Sequence, residues 1–478
     1  MRLDTRTWAL LPFAVALNVV MGWTASPLPV HLDSLGTCIA AALAGPAAGM
    51  LTGAIGNIIS ALQNPIWLRY FPVAIMIGAL TGLLTRWKML NSAFLAGVSG
   101  IIIGICSASL AAPITAWSGG ASGGGTDLLI AAFRELGYSK LSACFAESLL
   151  VDPLDKMISC LAVYAFLSIM PSKMRSAFPN GPVLSHIQPL KANFAANAAK
   201  LKESATRQNI EICSVNLSID VPGSSFWHRA ATSTKFLLIL CSAIALFAVP
   251  GWIKLTAPQP MWYPLPYYPV LLASLFALAI SSGIGAELGR LLLWTAFPLG
   301  LAITLINGLW GQGDEIAIGP LHWSIASACQ ASSLAMGITL VTESIGLLLL
   351  TTPIYNICSY LERCGVPGRI NYILLASLNL IPSMQRRSAE IRETQAARAM
   401  PSGSGLRHWL RTLLPSLIPL LLSAIADAHE RALTLEMRGF SASSSRTSWS
   451  TPQVPSYDPM LKAGILLVFI TIGVLICA

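Results

Sequence analysis

The sequence predicts an all-α, polytopic integral membrane protein built from two helical bundles. Its 478 residues are 54% apolar and only 11% charged. Soluble domains carry about 25% charged residues, so this chain has too little polar surface for a water-facing globule. Apolar runs of roughly 20 residues, the length that a membrane-spanning helix needs, recur along the chain. The lipid bilayer is therefore the expected solvent for most of the molecule.

The net charge of +9 raises the question of nucleic-acid binding. Basic residues that flank apolar segments instead follow the rule that the cytoplasmic loops of membrane proteins are positive. We therefore predict no nucleic-acid partner and a multi-pass location in the cell membrane.

Six apolar runs precede residue 172, and we expect them to form one compact bundle. Glycine and alanine recur in them, which allows close helix approach where apolar surface alone gives no association energy. The runs cover about 7–23, 36–61, 67–86, 91–113, 128–150 and 153–171.

A polar, basic connector follows, so we divide the chain into segments 1–171, 172–229 and 230–478. Near alternation of apolar and polar residues over 210–221 is typical of a half-buried strand. If the connector is flexible, its r.m.s. span is about 40 Å, which would let one bundle tilt against the other.

Apolar runs resume at about 234–250, 266–282, 288–307 and 324–350, and a last one covers 462–478. Between residues 383 and 446 lie nine arginines and five acids. Placing this region and the connector in the cytoplasm satisfies the positive-inside rule.

Two segments of the arginine-rich region carry an apolar stripe that ends near an arginine. Met384, Ile391 and Arg398 are spaced by seven, and the segment that ends at Arg438 is similar. The donor fork of arginine suits a protein groove lined with carbonyls or carboxylates. Docking on a partner protein is the functional interpretation. A basic amphipathic helix on anionic lipid is the alternative.

Three stretches of this region carry a family resemblance: SYLERCGVPGRINYILLASLNLIPSM (359–384), QRRSAEIRETQAARAM (385–400) and AIADAHERALTLEMRGF (424–440). From Thr352 onward the chain resembles the transmembrane coupling component of energy-coupling factor (ECF) transporters, which are micronutrient-uptake ABC transporters. In that family two long cytoplasmic helices each end in an Ala-Arg-Gly-like motif that docks on one of two ATPase subunits. The resemblance implies this role for the following residues: Ala397, Arg398, Ala399, Met437, Arg438 and Gly439.

Residues 1–171 resemble the substrate-binding S component of the same transporters in their six predicted helices and in the stretch WSGGASGGGTDLL (117–129). S components often carry small residues four apart on their first helix, where they contact the coupling component. The corresponding row here is Leu10, Ala14, Asn18 and Gly22. The resemblance implies that this bundle binds a small nutrient and topples in the membrane to release it.

The stretch 118–126 contains five glycines and ends where a helix should begin. Its amides can approach a ligand closely, and Asp127 and Trp117 can supply a carboxylate and a stacking face. A flexible turn with Asp127 as helix N-cap is the alternative. The predicted substrate-binding residues are Trp117, Gly123, Gly124, Thr126, Asp127 and Asn57. Further candidates for the same cavity are Asn64, Trp67 and Arg69.

Ionisable residues also lie at the predicted junction of two helices: Glu147, Asp152, Asp155 and Lys156. At membrane depth such residues are functional candidates by default. A helix cap at Asp152-Pro153, with Asp155 and Lys156 paired, is the alternative. Internal pairing is expected for the isolated ionisable residues of the second half, Glu287, Arg290 and Glu343.

The chain contains no G-x-x-x-x-G-K-[ST] motif, so ATP must be bound by separate subunits. No H-E-x-x-H motif occurs, and we predict no metal site, cofactor or catalytic residue. The sequence thus predicts a non-enzymatic membrane subunit of an ATP-driven importer. Its expected partners are two ATPase subunits, a small-molecule substrate and the lipid bilayer. A ligand-sensing scaffold that holds a non-ATPase partner is the alternative, and a secondary transporter is a third option.

Overall fold

The structure is a computed structural model, and it confirms the all-α polytopic fold. It describes residues 4–25, 32–62, 64–117, 119–120, 126–187, 223, 225–256, 267–310, 315–318, 321–397, 406–440 and 455–477. Within these ranges five helical stretches are long and apolar enough to cross a membrane: Thr5–Gly22, Pro65–Arg86, Ala93–Trp117, Gly285–Leu309 and Ile325–Thr351. The predicted strand at 210–221 lies outside the described residues.

The first part of the chain forms a helical bundle, here called the N-terminal bundle. Its helices are α1 Thr5–Ala25, α2 Leu35–Ala44, α3 Pro46–Ala61, a 3-10 helix Pro65–Tyr70, α4 Phe71–Arg86, α5 Ala93–Trp117, α6 Asp127–Glu135, α7 Lys140–Ile169, α8 Ser172–Ser176 and α9 Gly181–Leu184.

The remainder is the C-terminal half. Its elements are α10 Phe226–Arg229, α11 Thr232–Thr256, α12 Tyr267–Ser281, α13 Gly285–Trp294, α14 Ala296–Leu309, β1 Glu315–Ile318, β2 Leu321–Ser324, α15 Ile325–Thr351, α16 Ile354–Arg363, α17 Gly368–Ala397, α18 Leu406–Met437 and α19 Asp458–Cys477. The two strands pair antiparallel, with Glu315 opposite Ser324. Helix α15 packs against α11, α12, α13 and α14 and forms the centre of this half.

The last helix is fixed to the start of this half by one buried carboxylate. Asp458 accepts hydrogen bonds from the Ala231 amide (3.0 Å) and the Thr234 hydroxyl (2.5 Å). Its second oxygen pairs with Lys462 at 2.8 Å. A carboxylate in the first turn of a helix also complements the helix dipole. Helix α19 therefore starts at a defined place beside α11.

Two predicted helix boundaries are wrong, both for reasons of backbone geometry. The run 36–61 is two helices, because Gly45 has φ +96° and turns α3 back along α2. The runs 128–150 and 153–171 are instead the short α6 and one continuous α7 that includes Pro153. Transmembrane helices tolerate an internal proline when neighbouring groups compensate for the freed carbonyl.

Glycine permits the closest helix contacts in the N-terminal bundle, as predicted. A Cβ on Gly78 of α4 would lie 2.2 Å from the carbonyl carbon of Gly49 on α3. A Cβ on Gly104 of α5 would lie 2.3 Å from the Cα of Pro153 on α7. Backbone contacts of this kind replace the hydrophobic association that lipid cannot provide.

The bundle continues beyond residue 171, into the stretch predicted to be connector. The backbone amide of Asn180 donates to the Leu43 carbonyl (3.0 Å), and its side chain donates to the carbonyls of Ala41 (3.4 Å) and Ala42 (3.0 Å). Asn180 thus satisfies carbonyls that α2 leaves open at its C-terminal end. Phe178 and Ile187 are also buried against the bundle. Residues up to 187 therefore pack with the N-terminal bundle.

The two halves meet along α1, which packs against both α17 and α18. Arg369 lies 5.9 Å from the Trp8 ring centroid, and Arg431 lies 5.2 Å from that of Phe13. Each cation–π contact contributes about 0.5–1 kcal/mol at a partly exposed site. Residues of α1, α17 and α18 share one apolar core.

The small-residue row of α1 does not make this contact. A Cβ on Gly36 of α2 would lie 1.9 Å from the Ala14 carbonyl oxygen. The Asn18 side chain donates to the Thr37 hydroxyl (2.7 Å) and accepts from the Thr37 amide (3.1 Å). A Cβ on Gly22 would lie 3.4 Å from the Cβ of Asp33. The row therefore packs inside the N-terminal bundle, and aromatic residues of α1 meet the C-terminal half instead.

We predict that Gly104→Ala destabilises the bundle, because its methyl group would collide with the backbone of α7. Overpacking of this kind costs about 1–3 kcal/mol. Gly97→Ala on the same helix is the matched control, since a Cβ there meets nothing within 4 Å. The thermal unfolding midpoint in detergent should fall for Gly104→Ala and stay equal or rise for Gly97→Ala. Equal midpoints for both variants would contradict the close-packing argument.

Candidate functional site

The described members of the predicted substrate set lie at one end of the N-terminal bundle, here called the Trp117 end. The guanidinium of Arg69 lies 5.4 Å from the Trp117 ring centroid. The Trp117 side chain is 70% exposed, so the stacked pair is open on one side. An aromatic face beside a cation is a surface that planar or anionic ligand groups can use.

Polar side chains from the same two helices and from two further ones, α6 and α7, join this pair. The hydroxyl of Tyr70, the last residue of the 3-10 helix, forms a hydrogen bond of 2.7 Å with the hydroxyl of Thr115 on α5. Asp127 and Glu147 belong to α6 and α7, which pack against α5 in a buried apolar cluster that contains Ala112, Ile130 and Cys144. Both residues are buried: the exposed fraction is 8% for Asp127 and 6% for Glu147. The Trp117 end thus combines a cation, two carboxylates, hydroxyls and an aromatic face.

The N-cap alternative for Asp127 is wrong by one position. Thr126 is the N-cap of α6 and makes no capping hydrogen bond with its side chain, while Asp127 is the first helical residue. Gly119 has φ +101° and the Gly120 amide donates to the Thr115 carbonyl (2.9 Å), so these glycines end α5 in a left-handed cap. The predicted ligand glycines, Gly123 and Gly124, lie outside the described residues.

Asn57 and Asn64 support the 3-10 helix that carries Arg69. The Asn57 side chain donates to the Trp67 carbonyl at 3.3 Å. The Asn64 side chain accepts from the Ile66 amide at 3.2 Å as a helix cap. Both asparagines therefore lie at the Trp117 end, where their contacts with protein backbone fix the position of Arg69.

A second group of charges surrounds the buried Lys156 of the bundle. The Lys156 ammonium lies 2.5 Å from Asp155 and 3.5 Å from Asp33, and it donates to the Ser34 hydroxyl at 2.9 Å. Asp155 also accepts from the Leu32 amide at 2.9 Å. The predicted pairing of Asp155 with Lys156 is thus correct. The cap at Asp152-Pro153 is wrong, because α7 runs through it without a break.

In the second half, pairing is found for two of the three isolated charged residues. Glu287 and Arg290 pair at 2.8 Å on the surface of α13, as predicted. Glu343 of α15 is 1% exposed, and its Oε2 has no hydrogen-bond partner among the described residues. Internal pairing of Glu343 is therefore not found there. Within the described ranges, no group of three or more His, Cys, Asp or Glu residues could hold a metal ion.

The Met437-Arg438-Gly439 triplet forms the C-terminal cap of α18. The Phe440 amide donates to the Leu435 carbonyl, and the Gly439 amide to the Glu436 carbonyl, both at 3.0 Å. Gly439 has φ +69°. This is the Schellman pattern, in which the residue after the helix is left-handed and is usually glycine. Arg438 and Met437 are exposed at the tip.

Beyond this cap the chain folds back onto α17. The rings of Phe440 and Tyr372 meet edge to face, with centroids 5.2 Å apart. Phe440 is 7% exposed, as expected for the hydrophobic contact that accompanies a Schellman cap. The exposed arginine therefore projects from a fixed turn. In the other triplet, Ala397 is the last residue of α17, and Arg398 and Ala399 lie outside the described residues.

The two long helices are joined where they cross. Arg387 of α17 pairs with Asp427 of α18 at 2.7 Å and donates to the Ser423 hydroxyl at 3.3 Å. Both charged side chains are about one third exposed, with 32% and 31% of their surface accessible. Solvent screening limits such a pair to roughly 0.5–1 kcal/mol. Its main effect is to fix the crossing point of the helices.

Comparison with known proteins identifies this pair of helices and the half that carries them. Residues 223–449 match the family CbiQ, cobalt transport protein. The energy-coupling factor transporter transmembrane protein EcfT of Ruminiclostridium cellulolyticum is 27% identical over 263 residues, 52% of this chain and 92% of that protein. EcfT of Brevibacillus brevis is 28% identical over 274 residues, which are 53% of this chain and 95% of that protein. EcfT of Lactococcus lactis subsp. cremoris is 24% identical over 261 residues, which are 52% of this chain and 93% of that protein.

The C-terminal half of this chain is similar to the transmembrane component of energy-coupling factor transporters. The predicted resemblance of its C-terminal half, called the coupling half from here on, is confirmed. The family match begins at residue 223, after the N-terminal bundle. The resemblance of residues 1–171 to an S component therefore remains a prediction. A multi-pass membrane location agrees with the five spanning stretches of the described residues and with the EcfT relatives.

Several residues of the candidate site could not be found from the sequence. Tyr70 adjoins Arg69, but nothing in the sequence indicates its bond to Thr115, 45 positions away. Asp33 meets Lys156 from a distant part of the chain, and Glu147 was grouped with Asp152 rather than with Asp127. Eight residues of one continuous α7, about 12 Å, separate Glu147 from Asp155. The missing signal was the continuity of that helix through Pro153.

We predict that Gly439→Ala loosens the cap of α18, because an L side chain at φ +69° is strained by about 1 kcal/mol. Tryptic cleavage after Arg438, followed by mass spectrometry, should accelerate about five-fold as the cap opens more often. Gly464→Ala on α19 is the control, since a Cβ there meets nothing within 4 Å. An unchanged cleavage rate in Gly439→Ala would contradict the assigned role of the glycine.

Proposed function

We propose that this chain is the membrane component of an ECF transporter, which binds a small nutrient in its N-terminal bundle and couples its uptake to two separate ATPase subunits. The observation that carries the proposal is the position of α18. Its exposed end presents Arg438, while its middle packs directly on α1 of the N-terminal bundle. One rigid helix thus connects a surface suited to a partner protein with the bundle that would hold the substrate.

The contacts along α18 support this connection step by step. Phe440 fixes the tip against Tyr372. Arg387 and Asp427 fix the crossing with α17. One turn further along α18 from Asp427, Arg431 covers the ring of Phe13. Because interiors are close-packed, a displacement of the helix end is passed to α1 rather than absorbed.

The distribution of charge supports an orientation for the N-terminal bundle. Basic residues gather at the end that Asn180 closes: Arg6, Arg86, Lys88, Lys173 and Arg175. The Arg6 side chain donates to the Ala177 carbonyl at 3.5 Å, which fixes it at that end. By the positive-inside rule this end faces the cytoplasm, together with the tips of α17 and α18. The Trp117 end then faces outward, where an importer must collect its substrate.

The Trp117 end offers the side chains that a small-molecule site needs. Small-ligand sites combine apolar or aromatic walls with a few convergent polar groups. Trp117 supplies an exposed aromatic face, and Arg69 and Asp127 supply opposite charges within the same region. ATP hydrolysis belongs to the partner subunits in this proposal, because the chain carries no P-loop motif.

The coupling role predicts that replacing both Arg398 and Arg438 by glutamate abolishes ATPase association. Charge reversal exchanges charge-assisted hydrogen bonds for repulsion, so ATPase recovered with the purified chain should fall about ten-fold or more. Arg363→Glu is the matched control, because Arg363 is also an exposed arginine at a helix end.

Undiminished ATPase recovery with the double variant would refute the docking role. Recovery of a single non-ATPase partner in place of ATPases would favour a sensing scaffold. The small molecule retained by the N-terminal bundle should be equal in all three proteins, since none of the replaced arginines belongs to that bundle.

The substrate role predicts that Trp117→Ala and Asp127→Ala each weaken ligand binding by about 1–3 kcal/mol. The measurement is the amount of small molecule that copurifies with the full chain, identified and quantified by mass spectrometry. Trp87→Ala is the control, because Trp87 is 69% exposed, like Trp117, but lies at the other end of α4. Equal ligand content in all variants would place the site elsewhere.

A further inference from the structure

A contact region between the two halves, separate from α1, lies at the Trp117 end. Asn307 of α14 donates to the Gly119 carbonyl at 2.6 Å. The Trp310 indole N–H donates to the Glu135 carboxylate at 2.7 Å, and the Arg134 guanidinium donates to the Trp310 carbonyl. We call these five residues the latch. All three bonds join the N-terminal bundle to the end of one helix in the coupling half.

The latch holds the two segments that carry the candidate substrate residues. Gly119 lies two residues after Trp117, in the cap that ends α5. Glu135 is the last residue of α6, and Asp127 is the first. Nine helical residues span about 13.5 Å, so α6 links the latch to the candidate site as one rigid piece. Asn307 and Trp310 are three residues apart and therefore neighbour each other at the end of α14.

Apolar packing beside the latch strengthens the attachment. Ile66 of the 3-10 helix is 1% exposed and is buried among residues of the coupling half, including Leu299 and Ile303. A Cβ on Gly119 would lie 3.2 Å from Ile303 and 3.0 Å from Leu334. The 3-10 helix also carries Arg69, so all three segments that form the Trp117 end contact the coupling half directly.

We propose that α14 of the coupling half positions the substrate site, because Asn307 and Trp310 hold the segments that carry Trp117 and Asp127. Movement of the coupling half against the bundle then changes the separation of these two side chains. The proposal rests on the proposed function in naming this region a substrate site. Asn307, Trp310 and Glu135 are positioning residues, since they act on the site through α5 and α6.

The attachment is tested by hydrogen exchange of the full chain in lipid nanodiscs. Glu135→Ala and Trp310→Phe each remove the indole–carboxylate bond and should speed exchange of the α6 amides about five-fold. Glu135→Gln should restore wild-type exchange, because its side-chain carbonyl still accepts the indole N–H. Trp294→Phe is the control, since Trp294 is 76% exposed on the neighbouring helix α13. Amides of α3 and α4 report global stability and should not change.

Unchanged α6 exchange in Glu135→Ala and Trp310→Phe would overturn the latch. Equal acceleration in Glu135→Gln, or acceleration in α3 and α4 as well, would also overturn it by showing general destabilisation.

The link to substrate is tested separately with Asn307→Ala combined with Glu135→Ala. Copurifying small molecule, quantified by mass spectrometry, should fall about ten-fold relative to the wild-type chain. Retention equal to wild type, in a preparation where Trp117→Ala loses the molecule, would overturn the positioning role. Retention by Trp117→Ala as well would refute the proposed substrate site, and the latch would then be judged by exchange alone.

Discussion

A membrane helix that meets protein on nearly every side joins the two halves of this chain. In the Thr5–Gly22 window of α1, 83% of the residues are buried. In lipid, apolar surface alone does not drive helices together, so this burial depends on complementary shape. One face of α1 packs against α2 at Gly36, and another contacts the arginines of α17 and α18. The proposed transfer of movement from α18 to the bundle passes through this helix, and the latch at α14 is a second, separate connection.

The need for close helix contacts in lipid also explains why the glycines of this chain have two different structural roles. Gly49, Gly78 and Gly104 leave room for a neighbouring backbone and have ordinary helical geometry. Gly119 and Gly439 instead end helices in the left-handed region, which fixes the residues beside them. The first kind holds the bundle together, and the second kind presents Trp117 and Arg438 at fixed positions. Both kinds look alike in the sequence.

The sequence was sufficient for the membrane class, for most helices and for the ECF resemblance of the coupling half, because these depend on local composition and on a motif. The small-residue row of α1 was correctly noticed but assigned to the wrong neighbour, since a helix face cannot be matched to its partner from one sequence. Helix α7 was divided because Asp152-Pro153 resembles a helix start in water, where an internal proline costs about 3 kcal/mol.

Contacts between distant segments were the least predictable part of the molecule. The bond from Leu32 to Asp155 spans 123 positions, and that from Trp310 to Glu135 spans 175. No local pattern marks either pair. At the candidate site the individual residues Trp117, Asp127 and Arg69 could be predicted, because aromatic and charged groups near helix ends are conspicuous. Their arrangement around Tyr70 and their attachment to α14 could not.

The packing of residues 172–187 onto the bundle shortens the stretch of chain that links the two halves. The stretch 188–222, 35 residues, is what separates the bundle from the coupling half in sequence. Such a covalent link keeps the effective concentration of one half near the other on the order of millimolar. A bundle that leaves α17 and α18 therefore returns to its own coupling half before a competitor at lower concentration can take its place. The covalent link therefore favours the bundle's own coupling half over a competing one. This preference depends on the length of the linking stretch rather than on binding affinity.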